Sequence, residues 1–158
     1  MEKKYIDKFY DTTFKSDKYE VFALALPINL IYKSMYNESE QFFKSNYDLI
    51  HSDIDVMATL YFNGNALTPT ELYSAAIFSS GGMTKVLKKL EERKLIFREA
   101  SSDDKRSLLV HLTPLGEELT KECIDEIIKM KEKIFNVLSK KEKESLKNIL
   151  SKVMYSMV

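Results

Sequence analysis

Apolar residues recur at helical spacing along most of this 158-residue chain. Residues 1–18 are polar, with aromatics at Tyr5, Phe9, Tyr10 and Phe14, and predict a short helix or arm lying on a partner subunit. From Val21 to about Lys44, Leu24, Ile28, Ile31, Met35 and Phe42 share one face of a long apolar helix. Pro27 should kink that helix or mark its start. Ser52-Asp53-Ile54-Asp55 supplies a cap and early acidic residues for the next helix, whose buried stripe is Val56, Met57, Leu60 and Tyr61. Asn63-Gly64-Asn65 ends it, with Gly64 suited to the left-handed position. Near the C-terminus, Thr113 caps and Pro114 starts a helix to about Leu138. Its Cys123, Ile127, Met130, Ile134 and Val137 form a coiled-coil-like seam. A capping box, Ser139-Lys140-Lys141-Glu142, opens the last helix, with Leu146, Ile149, Leu150, Val153 and Met157 as its stripe.

The stretch from Thr68 to Pro114 breaks this rhythm and predicts helix, tight turn, helix and a two-stranded hairpin. Thr68, Pro69 and Glu71 mark the first helix start, and small Ala75 and Ala76 let a second helix come close. Ser79 or Ser80 caps the second helix. There Met83, Val86, Leu87 and Leu90 make one apolar stripe, while Gly81, Lys85, Lys88 and Glu92 centre on the opposite side with Thr84 flanking. Glycines at 81 and 82 cost about 1 kcal/mol each in helix propensity. Close approach of first-turn N–H groups to a phosphate would compensate. The same spacing also suits an ordinary solvated helix. The hairpin then adds Leu95-Ile96-Phe97 and Leu108-Leu109-Val110 as strands around a Ser101-Ser102-Asp103-Asp104 turn, with Lys105 and Arg106 just past the tip. A guanidinium there suits a narrow minor groove; Asp104 suits a partner that orients Arg106 or pairs with Arg98. Together these predict a winged helix-turn-helix for duplex DNA, with Ser79, Ser80, Gly81, Thr84, Lys85, Lys88 and Lys89 on the recognition helix and Lys105 and Arg106 on the wing.

Charge sharpens that picture. The chain is neutral overall, with 24 basic and 24 acidic residues. Residues 79–111 hold 8 basic against 5 acidic groups, giving +3, whereas residues 1–60 hold 7 against 10, giving −3. The positive charge therefore sits on the second helix and hairpin, the distribution that DNA contact requires.

These residues also resemble a known family. SSGGMTKVLKKLEERKLI followed by DDKRSLLVHLTPLGEEL is similar to the MarR family of bacterial transcriptional regulators, with the wing pattern at Asp104-Lys105-Arg106 and Leu112-Thr113-Pro114-Leu115-Gly116. The likeness runs from roughly Tyr47 to the end and is weak before it. It implies a mainly α fold with a small β-hairpin wing, organised as a winged helix-turn-helix lobe over residues 51–113. Residues 1–50 and 114–158 would be the N- and C-terminal dimerisation helices of one intertwined domain. The apolar terminal helices independently call for a partner, and two-fold symmetry is the common solution. The resemblance also implies a homodimer on double-stranded DNA, with a pseudo-palindromic operator and, most often, a repressor role. It implies a pocket for a small aromatic or anionic ligand as well; Tyr32, Tyr36, Tyr47 and Tyr61 are candidates, although ordinary core packing is the favoured reading of each.

Other chemistry finds little support. His51 and His111 lie far apart, and with one cysteine no metal-site spacing is present. Cys123 on an apolar seam reads as structural. No nucleophile elbow, phosphate loop or paired-carboxylate motif is evident, so neither an enzyme nor a cofactor is expected. No signal peptide or membrane span is expected: the longest apolar run, Val21 to Tyr32, contains Pro27 and Asn29. A single cysteine suits the cytoplasm. The competing reading is a winged-helix protein-interaction scaffold without DNA affinity. Arg106→Ala is expected to weaken DNA binding by roughly 1–3 kcal/mol while leaving dimerisation intact. Equal binding in a fluorescence titration would remove the wing from the mechanism.

Overall fold

The computed structural model describes residues 2–75, 82–100 and 108–157. The chain divides into two compact units, Met1–Phe42 and Phe43–Val158.

In the first unit, α1 (Lys3–Thr13) is followed by a single 3₁₀ turn and the start of α2 (Glu20–Tyr47). The interspersed aromatics hold α1 to the start of α2. Phe9 packs edge-on against Phe22 with ring centroids 5.7 Å apart, and Tyr10 tilts on Phe14 at 4.9 Å. The expected short N-terminal helix is therefore present. Pro27 lies inside α2, not at its start, leaving the carbonyl four residues earlier without its helix donor.

The second unit carries the core. α3 (His51–Phe62) buries Val56, Met57 and Leu60, as the stripe predicts, and Ile54 beside them, while Tyr61 is half-buried. The cap expected at Ser52-Asp53 comes from Asp53, whose Oδ2 accepts from Ile50 N at 2.9 Å; the helix begins at His51. Gly64 and Asn65 both take positive φ, 84° and 64°, and turn the chain into β1 (Ala66–Leu67). α4 (Pro69–Ala75) opens with the predicted capping box, in which Glu71 Oε2 accepts from Thr68 N at 2.8 Å and Glu71 N donates to Thr68 Oγ1 at 3.2 Å. α5 (Met83–Glu92) follows, then β2 (Ile96–Ala100) and β3 (Leu108–Leu112). The hairpin is the larger part of a three-stranded antiparallel sheet ordered β1-β3-β2. β1 pairs Ala66 with His111 and Leu67 with Val110, a strand too short for its alternation to register in sequence.

α6 (Pro114–Phe135) starts where it is expected, with Thr113 Oγ1 accepting from Gly116 N at 3.0 Å. Gly116, Thr120 and Cys123 are buried along its first half, whereas the later seam positions Ile127, Met130 and Ile134 are half-exposed. α7 (Lys140–Tyr155) opens on the predicted Ser139–Glu142 capping box and buries none of its residues within the chain.

Gly116 has a specific steric duty. A Cβ there would overlap the Leu95 carbonyl oxygen and lie 2.8 Å from its carbon. That carbonyl cannot swing away, because it accepts from Thr113 N at 3.0 Å. Gly116→Ala should therefore destabilise the protein by roughly 1–3 kcal/mol through overpacking. A urea denaturation midpoint unchanged from wild type would refute the close approach.

Candidate nucleic-acid interface

α5 is strongly two-faced. Val86, Leu87 and Leu90 are buried and Met83 is half-buried, so the predicted stripe faces the core. Gly82, with φ of 93°, precedes the first turn, and its carbonyl accepts from Lys85 N at 2.8 Å and Val86 N at 3.0 Å. The left-handed turn suits a residue without a side chain. Thr84, Lys85 and Lys88 are exposed together on the outward side. Lys88 Nζ lies 3.8 Å from Glu92 Oε1 with both groups open to solvent, a pairing too weak to hold the ammonium in place.

The helix ends without glycine. Lys94 takes φ of 58°, its N–H donates to Glu91 O at 2.9 Å, and Leu95 N donates to Leu90 O at 2.9 Å. This is a Schellman arrangement, with buried Leu90 and Leu95 providing the accompanying apolar contact. It feeds the chain directly into β2. There Arg98 Nη2 lies 3.4 Å from Glu91 Oε2, tying strand to helix. Phe97 and His111 stack across the β2–β3 pair at 4.9 Å and 14°.

Lys89, grouped by sequence with the DNA-facing residues, is directed elsewhere. Its Nζ lies 2.7 Å from Asp53 Oδ2 and donates to Asp48 O at 2.9 Å. Arg93, one turn on, donates to Asp48 O at 2.9 Å and Tyr47 O at 3.0 Å. Arg93, Asp48 and Asp53 are residues that sequence reasoning missed. Their one signal is the i, i+4 spacing of Lys89 and Arg93 beside the apolar stripe. Arg98 lies against Glu91, and its expected pairing with Asp104 falls outside the described residues. Ser79, Ser80, Gly81, Asp104, Lys105 and Arg106 lie outside the described residues.

The candidate tyrosines occupy different units. Tyr32 and Tyr36 are exposed neighbours on α2 with rings 5.8 Å apart. Tyr61, in the second unit, has Phe62 against its edge at 5.4 Å and Lys121 Nζ 5.8 Å from its ring centre. Tyr47 donates to Glu122 Oε1 at 2.8 Å, and its hydroxyl is pushed up to about 12, first by that bond and then by burial. Among the described residues, no three of His, Cys, Asp and Glu cluster as metal ligands would, and no helix is long and apolar enough to cross a membrane.

A capped helix, a short reader helix with an outward cationic face, and a three-stranded sheet define the class: a winged helix-turn-helix lobe. Residues 47–107 match the model of the MarR family. PecS, an HTH-type transcriptional regulator of Dickeya dadantii (strain 3937), is 28% identical over 111 residues, 69% of this chain and 67% of PecS. The organic hydroperoxide resistance transcriptional regulator of Bacillus subtilis (strain 168) is 33% identical over 66 residues, 42% of this chain and 45% of that protein. Among solved structures, Staphylococcus aureus MepR in its DNA-binding conformation superposes with a TM-score of 0.72 at 23% identity, covering 85% of this chain and 98% of MepR; MepR in complex with DNA gives 0.71 at the same identity and coverage. At that identity the likeness is one of fold. Over residues 47–107 the chain is thus similar to the MarR family, and the winged helix-turn-helix fold it shares with MepR extends that likeness over most of its length.

Cys123 is fully buried, and burial first, then Glu122, pushes its thiol up to about 11. At neutral pH it therefore stays protonated, and the thiolate is the reactive form. Labelling by a disulfide reagent at pH 8 should be far slower in the native protein than in urea. Equal rates would overturn this structural role.

Proposed function

We propose that the protein is a homodimeric, sequence-specific DNA-binding transcriptional regulator that acts as a repressor. The observation that carries the reading is the outward face of α5, where Thr84, Lys85 and Lys88 are exposed together opposite a buried apolar stripe. A helix so anchored can enter a major groove, with hydroxyl and ammonium groups available to base edges and phosphates. Ser79, Ser80, Gly81, Lys105 and Arg106 complete the proposed contact set from the sequence pattern. MepR, which shares the fold, has been crystallised with DNA. The family resemblance supports repression as the regulatory sign.

Dimerisation through residues 1–50 and 114–158 is supported by what the single chain leaves uncovered. Val21, Leu24 and Ile28 on α2, and Ile149 and Val153 on α7, are each more than half exposed. Apolar faces of this extent mark association surfaces. Two copies would present two reader helices to a pseudo-palindromic operator. A small aromatic or anionic ligand would act by changing the spacing of the two readers; the exposed Tyr32–Tyr36 pair is the feature that supports it.

The decisive experiment is a mobility shift on duplex from the chain's own upstream region, repeated across salt concentrations. Wild type should bind with a strong inverse salt dependence. Lys85→Ala and Lys88→Ala should each reduce the salt slope by about 1, and sedimentation should give twice the 18.4 kDa chain mass for all three proteins. Salt-independent binding, or none, would favour a protein-interaction scaffold instead.

A further inference from the structure

The cations of α5 are divided between two jobs. Lys85 and Lys88 are exposed, whereas Lys89 and Arg93 are engaged with the body of the lobe. Their targets converge on one place. Tyr47 is the last residue of α2, and Asp48, with φ of 51°, turns the chain out of it. The carbonyls of both lie at a helix C-terminus, where backbone acceptors lack helical donors and cations are favoured. Lys89 and Arg93 supply three hydrogen bonds to them. Asp53 then links in the start of α3: its buried Oδ2 accepts from both Ile50 N and Lys89 Nζ. Its Oδ1 has no hydrogen-bond partner among the described residues, and the Lys89 ammonium 2.7 Å from Oδ2 compensates this wholly buried carboxylate. Such a pair is hard to break, because separation strands a charge away from water.

We propose that Lys89 and Arg93 are positioning residues that lock the reader helix onto the C-terminal end of α2, through Asp53 and the carbonyls of Tyr47 and Asp48. The direction of Lys85 and Lys88 then follows that end of α2. A displacement of Tyr47 and Asp48 is transmitted to the DNA-facing side chains through polar contacts and not only through apolar packing. The proposal rests on the DNA-binding reading above and assigns Lys89 a role that excludes direct contact with DNA.

The test compares wild type with Lys89→Met, Lys89→Arg, Asp53→Asn and the double variant Asp53→Asn/Lys89→Met. The double variant removes both charges, so its fold holds no stranded carboxylate. Affinity is measured by fluorescence anisotropy on the operator duplex, across salt, well below each melting temperature. Alongside it, hydrogen exchange is followed at amides 85–93 without DNA. The double variant should bind about tenfold more weakly, with the salt slope unchanged and faster exchange over 85–93. Asp53→Asn should show the same pattern, and Lys89→Arg should restore most of the affinity. Three results would overturn the proposal: unchanged affinity in the folded double variant, a salt slope reduced by about 1 in Lys89→Met alone, or unchanged exchange. If wild type itself does not bind DNA, the functional reading fails, and the exchange comparison still decides whether the lock exists.

Discussion

The Leu95 carbonyl is the point at which the lobe is pinned together. It accepts from Thr113 N, and the α6 backbone passes so close to it that only glycine fits at position 116. Leu95 itself closes α5 through Leu90 and leads into β2. The end of the reader helix, the edge of the sheet and the start of α6 thus share one backbone group. Thr113 strengthens the junction by donating from Oγ1 to Lys94 O at 2.7 Å while capping α6. Thr113 and Gly116 of the Leu-Thr-Pro-Leu-Gly run are therefore explained by hydrogen bonding and sterics.

With that junction set, the electrostatics of α5 follow from its rotation. The apolar stripe faces the core, so Lys85 and Lys88 must face outward, and Lys89 and Arg93 fall where they meet the end of α2. Arg98 adds a further tie from β2 to Glu91. An outward lysine and an inward one differ in what surrounds them, not in chemistry. Exposed pairs such as Lys88–Glu92 contribute little, whereas the Lys89 contact satisfies a buried carboxylate and resists separation.

The terminal helices obey a different constraint. α7 keeps its stripe while burying no residue within the chain, and α2 leaves Val21, Leu24 and Ile28 exposed. Amphipathic helices of this kind gain little from folding on their own, because their apolar area stays in water. Their stability is expected to come from association, which is why the proposed dimer belongs to the same physical account as the lobe.

Local chemistry made much of this legible in advance. Capping boxes at Thr68 and Ser139, the Thr113 cap, the left-handed Gly64 and the α5 stripe all depend on neighbours within about one helical turn. The sequence reading went astray where partners are distant. It placed Lys89 with the outward cations because helical spacing cannot report a carboxylate 36 residues away. It missed β1, whose two residues gain their identity only from pairing with β3. It described Gly116 as part of a family signature, although the reason for that glycine is the Leu95 carbonyl brought near by folding. What the sequence determined by itself was where helices start, which face is apolar and where positive charge gathers, since these are short-range properties of the chain. Only the tertiary structure decided which cations point outward and which bind inward, because that depends on elements meeting in space.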